Sequence, residues 1–188
     1  VAKPASTADT ISQNLVRTAF KKKREALRDL LRSQDIQNAV IFCNRKRDIS
    51  TLLSSMKRHG FSATGLHGDM TQSARLAALD EFKNGQIPLL VASDVAARGL
   101  DIPSVSHVFN FDVPSNAEDY VHRIGRTGRA GRHGHAFTLI AGEDDEKAIL
   151  AIEKLTGQPI PVLSNTDRQS KKEHSTDDAG KSAKKHRE

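Results

Sequence analysis

His122-Arg123-Ile124-Gly125-Arg126-Thr127-Gly128-Arg129-Ala130-Gly131-Arg132 is the stretch around which the rest of the chain is organised. Four arginines fall within ten residues, and no carboxylate stands among them. Glycine recurs at 125, 128 and 131, so the backbone can turn tightly or approach a ligand with no Cβ in the way. On a single helical turn Arg126 and Arg129 would point the same way. A guanidinium fork meets phosphate oxygens at two points and keeps its charge at any working pH. The stretch reads as a phosphate clamp, with a solvated arginine loop as the plain alternative.

Working outward, residues 39–43, 62–66, 89–92, 105–111 and 135–140 are short apolar runs of the kind buried in parallel strands. Between them lie helical patterns. Leu27, Leu30 and Leu31 follow the Lys21-Lys22-Lys23-Arg24 run, which reads as a solvated face or, alternatively, an RNA contact. Leu76, Leu79 and Phe82 mark the core face of a helix for which Thr71 is a fitting N-cap. An extended segment at 11–18 precedes the first helix, and a helix at 143–155 opens with acids that suit its dipole rather than a metal site. Strands alternating with helices predict an α/β fold: an open, mostly parallel sheet with helices on both faces. In such sheets the site lies at the C-terminal strand ends.

Composition agrees with a nucleic-acid partner. The 188 residues carry a formal net charge of +6 and a pI near 9.6, which favours a polyanion. One cysteine excludes an internal disulfide framework and fits a reducing cytosol, so a cytoplasmic location is expected. Cys43 itself reads as a small core residue. No apolar run approaches the ~20 residues of a membrane span. The first residue is Val rather than Met, which suggests a piece of a longer chain.

His122-Arg-Ile-Gly-Arg-Thr-Gly-Arg129 closely resembles motif VI of the DEAD-box RNA helicases. Sister families tend to open this motif with Gln, so His122 points to the DEAD-box group. Ser93-Asp94-Val95-Ala96-Ala97-Arg98-Gly99-Leu100-Asp101-Ile102-Pro103 resembles motif V, Asn44-Arg45 motif IV, and Gly68-Asp69 with the Gln72-x-x-Arg75 pair motif IVa. The resemblance covers roughly residues 10–163 and is to the family's second RecA-like domain.

The resemblance implies the following. Arg126 and Arg129 are the arginine fingers, reaching the γ-phosphate of ATP held with Mg²⁺ mainly on the partner domain, while Asp101 and Gly99 join them in binding ATP. Asn44, Arg45, Gly68, Asp69, Arg75 and Ser93 face RNA. Arg45 and Ser93 stand where many family members have Thr. Gln72, Arg98, His122 and Arg123 couple the domains, Gln72 by bridging to motif VI. Without the resemblance, Asp101 would be an ordinary turn former. Residues 1–9 are then an interdomain linker, 10–163 a RecA-like helicase C-terminal domain, and 164–188 a disordered basic tail. The Gly180-Lys181-Ser182 within that tail is a chance match to a phosphate loop, since Ser175 stands where its first glycine belongs.

No phosphate loop or Asp-Glu-Ala-Asp box is present. The chain therefore reads as the C-terminal half of an ATP-dependent RNA helicase, inactive alone, monomeric, and partnered by RNA and an N-terminal RecA-like domain. A catalytically silent RNA-binding module and a DNA helicase domain of a sister family are the alternatives.

Overall fold

The computed structural model describes residues 7–164; the expected tail from 165 onward lies outside the described residues. Six strands form one sheet: β1 Ile11–Arg17, β2 Ala39–Phe42, β3 Ala63–Leu66, β4 Leu89–Ala92, β5 His107–Asn110 and β6 Gly134–Ile140. Their order is β1-β6-β5-β2-β4-β3, and every neighbouring pair is parallel. Parallel strands need crossovers, and the helices supply them: α1 Lys23–Ser33, α2 Lys46–Arg58, α3 Gln72–Lys83, α4 Asp94–Ala97, α5 Ala117–Ile124 and α6 Glu143–Thr156.

β2, β4 and β5 are buried at every position, because helices cover both faces of the sheet. Alternation along the strands divides the core. Ala39, Ile41 and Val91 pack on one side with Leu27 and Leu30 of α1 and Ile49, Leu52 and Met56 of α2. Val40, Phe42 and Leu90 pack on the other with Leu79 and Phe82 of α3 and with Ala96 and Ala97 of α4. That second side continues through Tyr120 and Ile124 of α5 and Ile149 and Ile152 of α6.

Several local expectations change in the folded chain. Leu76 is 46% exposed, so the buried face of α3 is Ala78, Leu79 and Phe82 instead. The basic run divides: Phe20–Lys22 form a single 3₁₀ turn, while Lys23 is buried against Asp112, Nζ to Oδ1 2.7 Å. A helix of 3.6 residues per turn cannot keep four consecutive side chains on its outer face, and Lys23 is the one that turns inward. Thr7, inside the expected linker, is buried and donates its hydroxyl to Gln158 Oε1 at 3.2 Å. Cys43 is buried, and desolvation pushes its thiol well above the ordinary range, as befits a core residue. Asp145 accepts from the Ala141 N–H at 2.8 Å, which gives one of the acids opening α6 a capping role.

Candidate functional site

The strand order reverses at β2, which has β4 on one side and β5 on the other. The C-terminal ends of those three strands are where such a sheet gathers ligands. Here the place is filled by Arg123, reaching in from α5 with 1% of its surface exposed. Its guanidinium donates to Asp94 Oδ1 and Oδ2 at 2.8 and 2.6 Å, to Asn44 Oδ1 at 2.7 Å, to the Asp112 carbonyl at 2.8 Å and to Asn110 Oδ1 at 3.3 Å. The central guanidinium carbon (Cζ) of Arg123 lies 5.2 Å from the centroid of the Phe42 ring. One planar cation thus ties together the segments that follow β2, β4 and β5. The donors of Arg123 are satisfied inside the domain. Asn44 is likewise engaged: its amide accepts from Arg123 and donates to the Val113 carbonyl at 2.9 Å.

Arg126 and Arg129 lie beyond α5, which stops at Ile124. In the structure no helical turn aligns them. The loop is pinned instead. Val105 N–H donates to the Arg126 carbonyl at 3.0 Å, and buried Thr127 donates its hydroxyl to the Val105 carbonyl at 2.6 Å. Arg129 Nε donates back to the Gly125 carbonyl at 2.7 Å. The backbone of the loop thus lies beside the entry to β5, while the Arg126 side chain lines a cleft with Phe42 and Asp94 at the C-terminal ends of β2 and β4. Burial first, and then the Arg129 charge, lower the Arg126 pKa, while Asp101 pulls it back up. Two guanidinium groups and the Asp101 carboxylate are thus electrostatic neighbours. The cleft that Arg126 lines measures ≈ 90 Å³ and includes Arg98, His122 and Asp119.

Two glycines hold this loop in place by close approach. Gly128 has φ +69°, and a Cβ there would meet Ile11 Cγ1 at 2.5 Å. At Gly134, which opens β6, a Cβ would overlap the Gly128 nitrogen and the Thr127 hydroxyl. We expect Gly134→Ala to cost about 1–3 kcal/mol in denaturant unfolding, because backbone rather than a side-chain tip must move. A midpoint equal to that of the parent would disprove the tight seat.

The residues expected to face RNA gather at the β2, β4 and β3 ends. Ser93 caps α4, its Oγ accepting from Ala96 N–H at 3.2 Å, and a serine hydroxyl keeps a proton to donate. Lys46 and Asp69 form an exposed pair at 2.9 Å between the two loops, which holds the Asp69 carboxyl below its usual range. Arg45 Nε bonds Asp48 at 2.9 Å. Half-buried Arg75 donates from Nε to the Met70 carbonyl at 3.3 Å, and Gln72 is exposed in the first turn of α3. Gly68 and Gly99 are exposed, and neither position has an atom within 4 Å of where a Cβ would stand. Sequence reasoning missed Asp94, Asn110 and Asp112 as the partners of Arg123. No spacing rule links them, because they meet only across the sheet.

Comparison with known proteins gives this arrangement a family. The model of the helicase conserved C-terminal domain matches residues 22–131. The chain is 48% identical over 151 residues to the DEAD-box ATP-dependent RNA helicase CshA of Bacillus subtilis, covering 80% of this chain and 30% of that protein. It thus spans under a third of that relative's length. The solved C-terminal domain of the DEAD-box protein Dbp5 superposes with a TM-score of 0.77 at 31% identity, covering 90% of this chain and 98% of that one. Dbp5 of S. cerevisiae bound to RNA and ADP BeF3 gives a TM-score of 0.81 at 29% identity, covering 94% of this chain and 48% of that one. With the domain model matching more than half of its residues, the chain belongs to the DEAD-box RNA helicases and is a helicase C-terminal domain of that family.

Proposed function

We propose that this domain supplies two arginines to ATP bound on an N-terminal RecA-like partner domain and grips the backbone of RNA for local duplex separation. The observation that carries the reading is the pairing of Arg126 and Arg129 around a pinned loop. Two like charges are held close, and burial makes the Arg126 cation costly until an anion arrives. A triphosphate in the closed interface provides that anion, and the guanidinium forks stabilise charge on its transferring phosphoryl group. Asp101, exposed beside them, is suited to accept from a ribose hydroxyl, and Gly99, at φ +77°, lets the chain approach a nucleotide closely. Arg98 and His122, flanking the small cleft, would meet the partner domain, and Gln72 would link the RNA loops to motif VI. Mg²⁺ would be held mainly on the partner domain.

RNA would lie along the loops after β2, β4 and β3, with Arg75, Arg45 and the Ser93 hydroxyl on phosphates and Gly68 and Asp69 shaping the loop. Backbone contacts of this kind position a strand without reading its sequence. Dbp5, bound to RNA and ADP BeF3, supports both halves of the proposal. Residues 10–163 would act as one domain in a monomeric, cytoplasmic enzyme. No described helix is long and apolar enough to cross a membrane.

The chain alone should turn over no ATP and bind RNA weakly, and Arg75→Ala should weaken that binding further. RNA-stimulated ATP hydrolysis by the isolated chain would overturn the division of labour between domains.

A further inference from the structure

A groove of ≈ 330 Å³ opens beside Arg45 at the same edge of the sheet, on its β5 side, and of its lining residues only Arg45 has an RNA role above. Its floor is buried Lys23, whose ammonium pairs with Asp112 and lies 4.5 Å from the centroid of Phe111. At the rim stands Phe20, 74% exposed, its ring 5.8 Å from the same ammonium. A lone exposed phenylalanine needs no explanation. This one is followed in sequence by Lys21, Lys22 and Arg24, and it shares its groove with Arg45. The nearby carboxylates are already committed: Asp112 to Lys23, Asp48 to Arg45 at 2.9 Å and Glu25 to Lys22 at 3.2 Å. The last two pairs are exposed and hold their cations weakly, so a phosphate can take the carboxylate's place.

We infer that this groove is a further nucleotide subsite, in which a base of single-stranded RNA stacks on Phe20 while its phosphates lie among Lys21, Arg24 and Arg45. The inference rests on the RNA face proposed above and extends that track from the β3 and β4 ends across β2 to β5. An aromatic platform inside a basic groove is how proteins hold single strands without choosing a sequence, because every base has a π-face. A peptide fits less well. The floor offers an ammonium and a carboxylate already paired to each other, and the remaining attraction is for anions.

The chain contains no tryptophan, so Phe20→Trp places a sole indole reporter in the groove. Titration with a short oligouridylate should quench that indole saturably, over the concentrations at which anisotropy of the labelled RNA reports binding. Phe20→Ala should weaken the RNA about fivefold or more while leaving the unfolding midpoint unchanged. Lys21→Ala and Arg24→Ala should each reduce the salt slope by ~0.7. If Arg75→Ala impairs RNA binding while the indole stays silent and Phe20→Ala binds as the parent does, the subsite falls and the RNA face stands. If neither variant affects binding, both fall. Quenching by poly(L-glutamate) as strong as by RNA would mark a surface for acidic chains and would also overturn the inference.

Discussion

Arg129→Ala, placed in this domain joined to a complete nucleotide-binding partner domain, should lower RNA-stimulated ATP turnover by ~10³-fold or more. The reason is geometric. Arg129 is exposed, and its Nε donates to the Gly125 carbonyl, so removing the side chain leaves no buried group stranded. Folding and RNA affinity should therefore survive while the transition state loses a charge. Arg126→Ala should lose a comparable factor, since the Arg129 charge lies close enough to help lower the Arg126 pKa. Residues acting as one unit are not additive, so the double variant should be little worse than either single one. Steady-state hydrolysis at saturating RNA, with an unfolding curve for each variant, decides the matter. Near-equal rates in parent and Arg129→Ala would mean that motif VI here is structural, and the silent RNA-binding module would become the better reading.

The second large effect falls six residues before Arg129 and on a different property. Arg123→Ala should destabilise the domain by about 3 kcal/mol, at the low end of the ~3–5 expected when one partner of a buried ion pair is removed. The low end applies because Asp94 keeps 24% of its side chain exposed and water can reach it. Asn44, Asn110 and the Asp112 carbonyl lose a donor at the same time. Measured against the ~5–15 kcal/mol that holds a typical domain together, this is a large part of the whole. Arg123→Lys should rescue little, because an ammonium cannot span acceptors arranged around a planar fork. Urea unfolding with an unchanged m-value is the appropriate readout. A loss below about 1 kcal/mol would show that the network is dispensable. Within one motif, then, Arg123 should govern stability while Arg126 and Arg129 govern turnover.

Much of this domain was legible in the order of its residues. Runs such as Leu89–Ala92 are apolar at every position, and only a strand covered on both faces permits that. Thr71 at the head of α3 and the acids at the head of α6 are local signals, since a cap or a helix dipole acts over a single turn. The resemblance carried by residues 122–129 and 93–103 led to the family that the comparisons establish. What only the tertiary structure decided is the division of labour among similar side chains. Arg123, Arg126 and Arg129 look alike in a string, as do Lys21, Lys22 and Lys23. Whether a cation turns inward depends on carboxylates and carbonyls brought from other strands, and those partners lie from 11 to 89 positions away. The seat of the arginine loop is non-local as well, set by Val105 and by glycines too crowded for a Cβ. Charge and periodicity are properties of the chain, whereas desolvation and hydrogen-bond satisfaction arise only when distant segments meet.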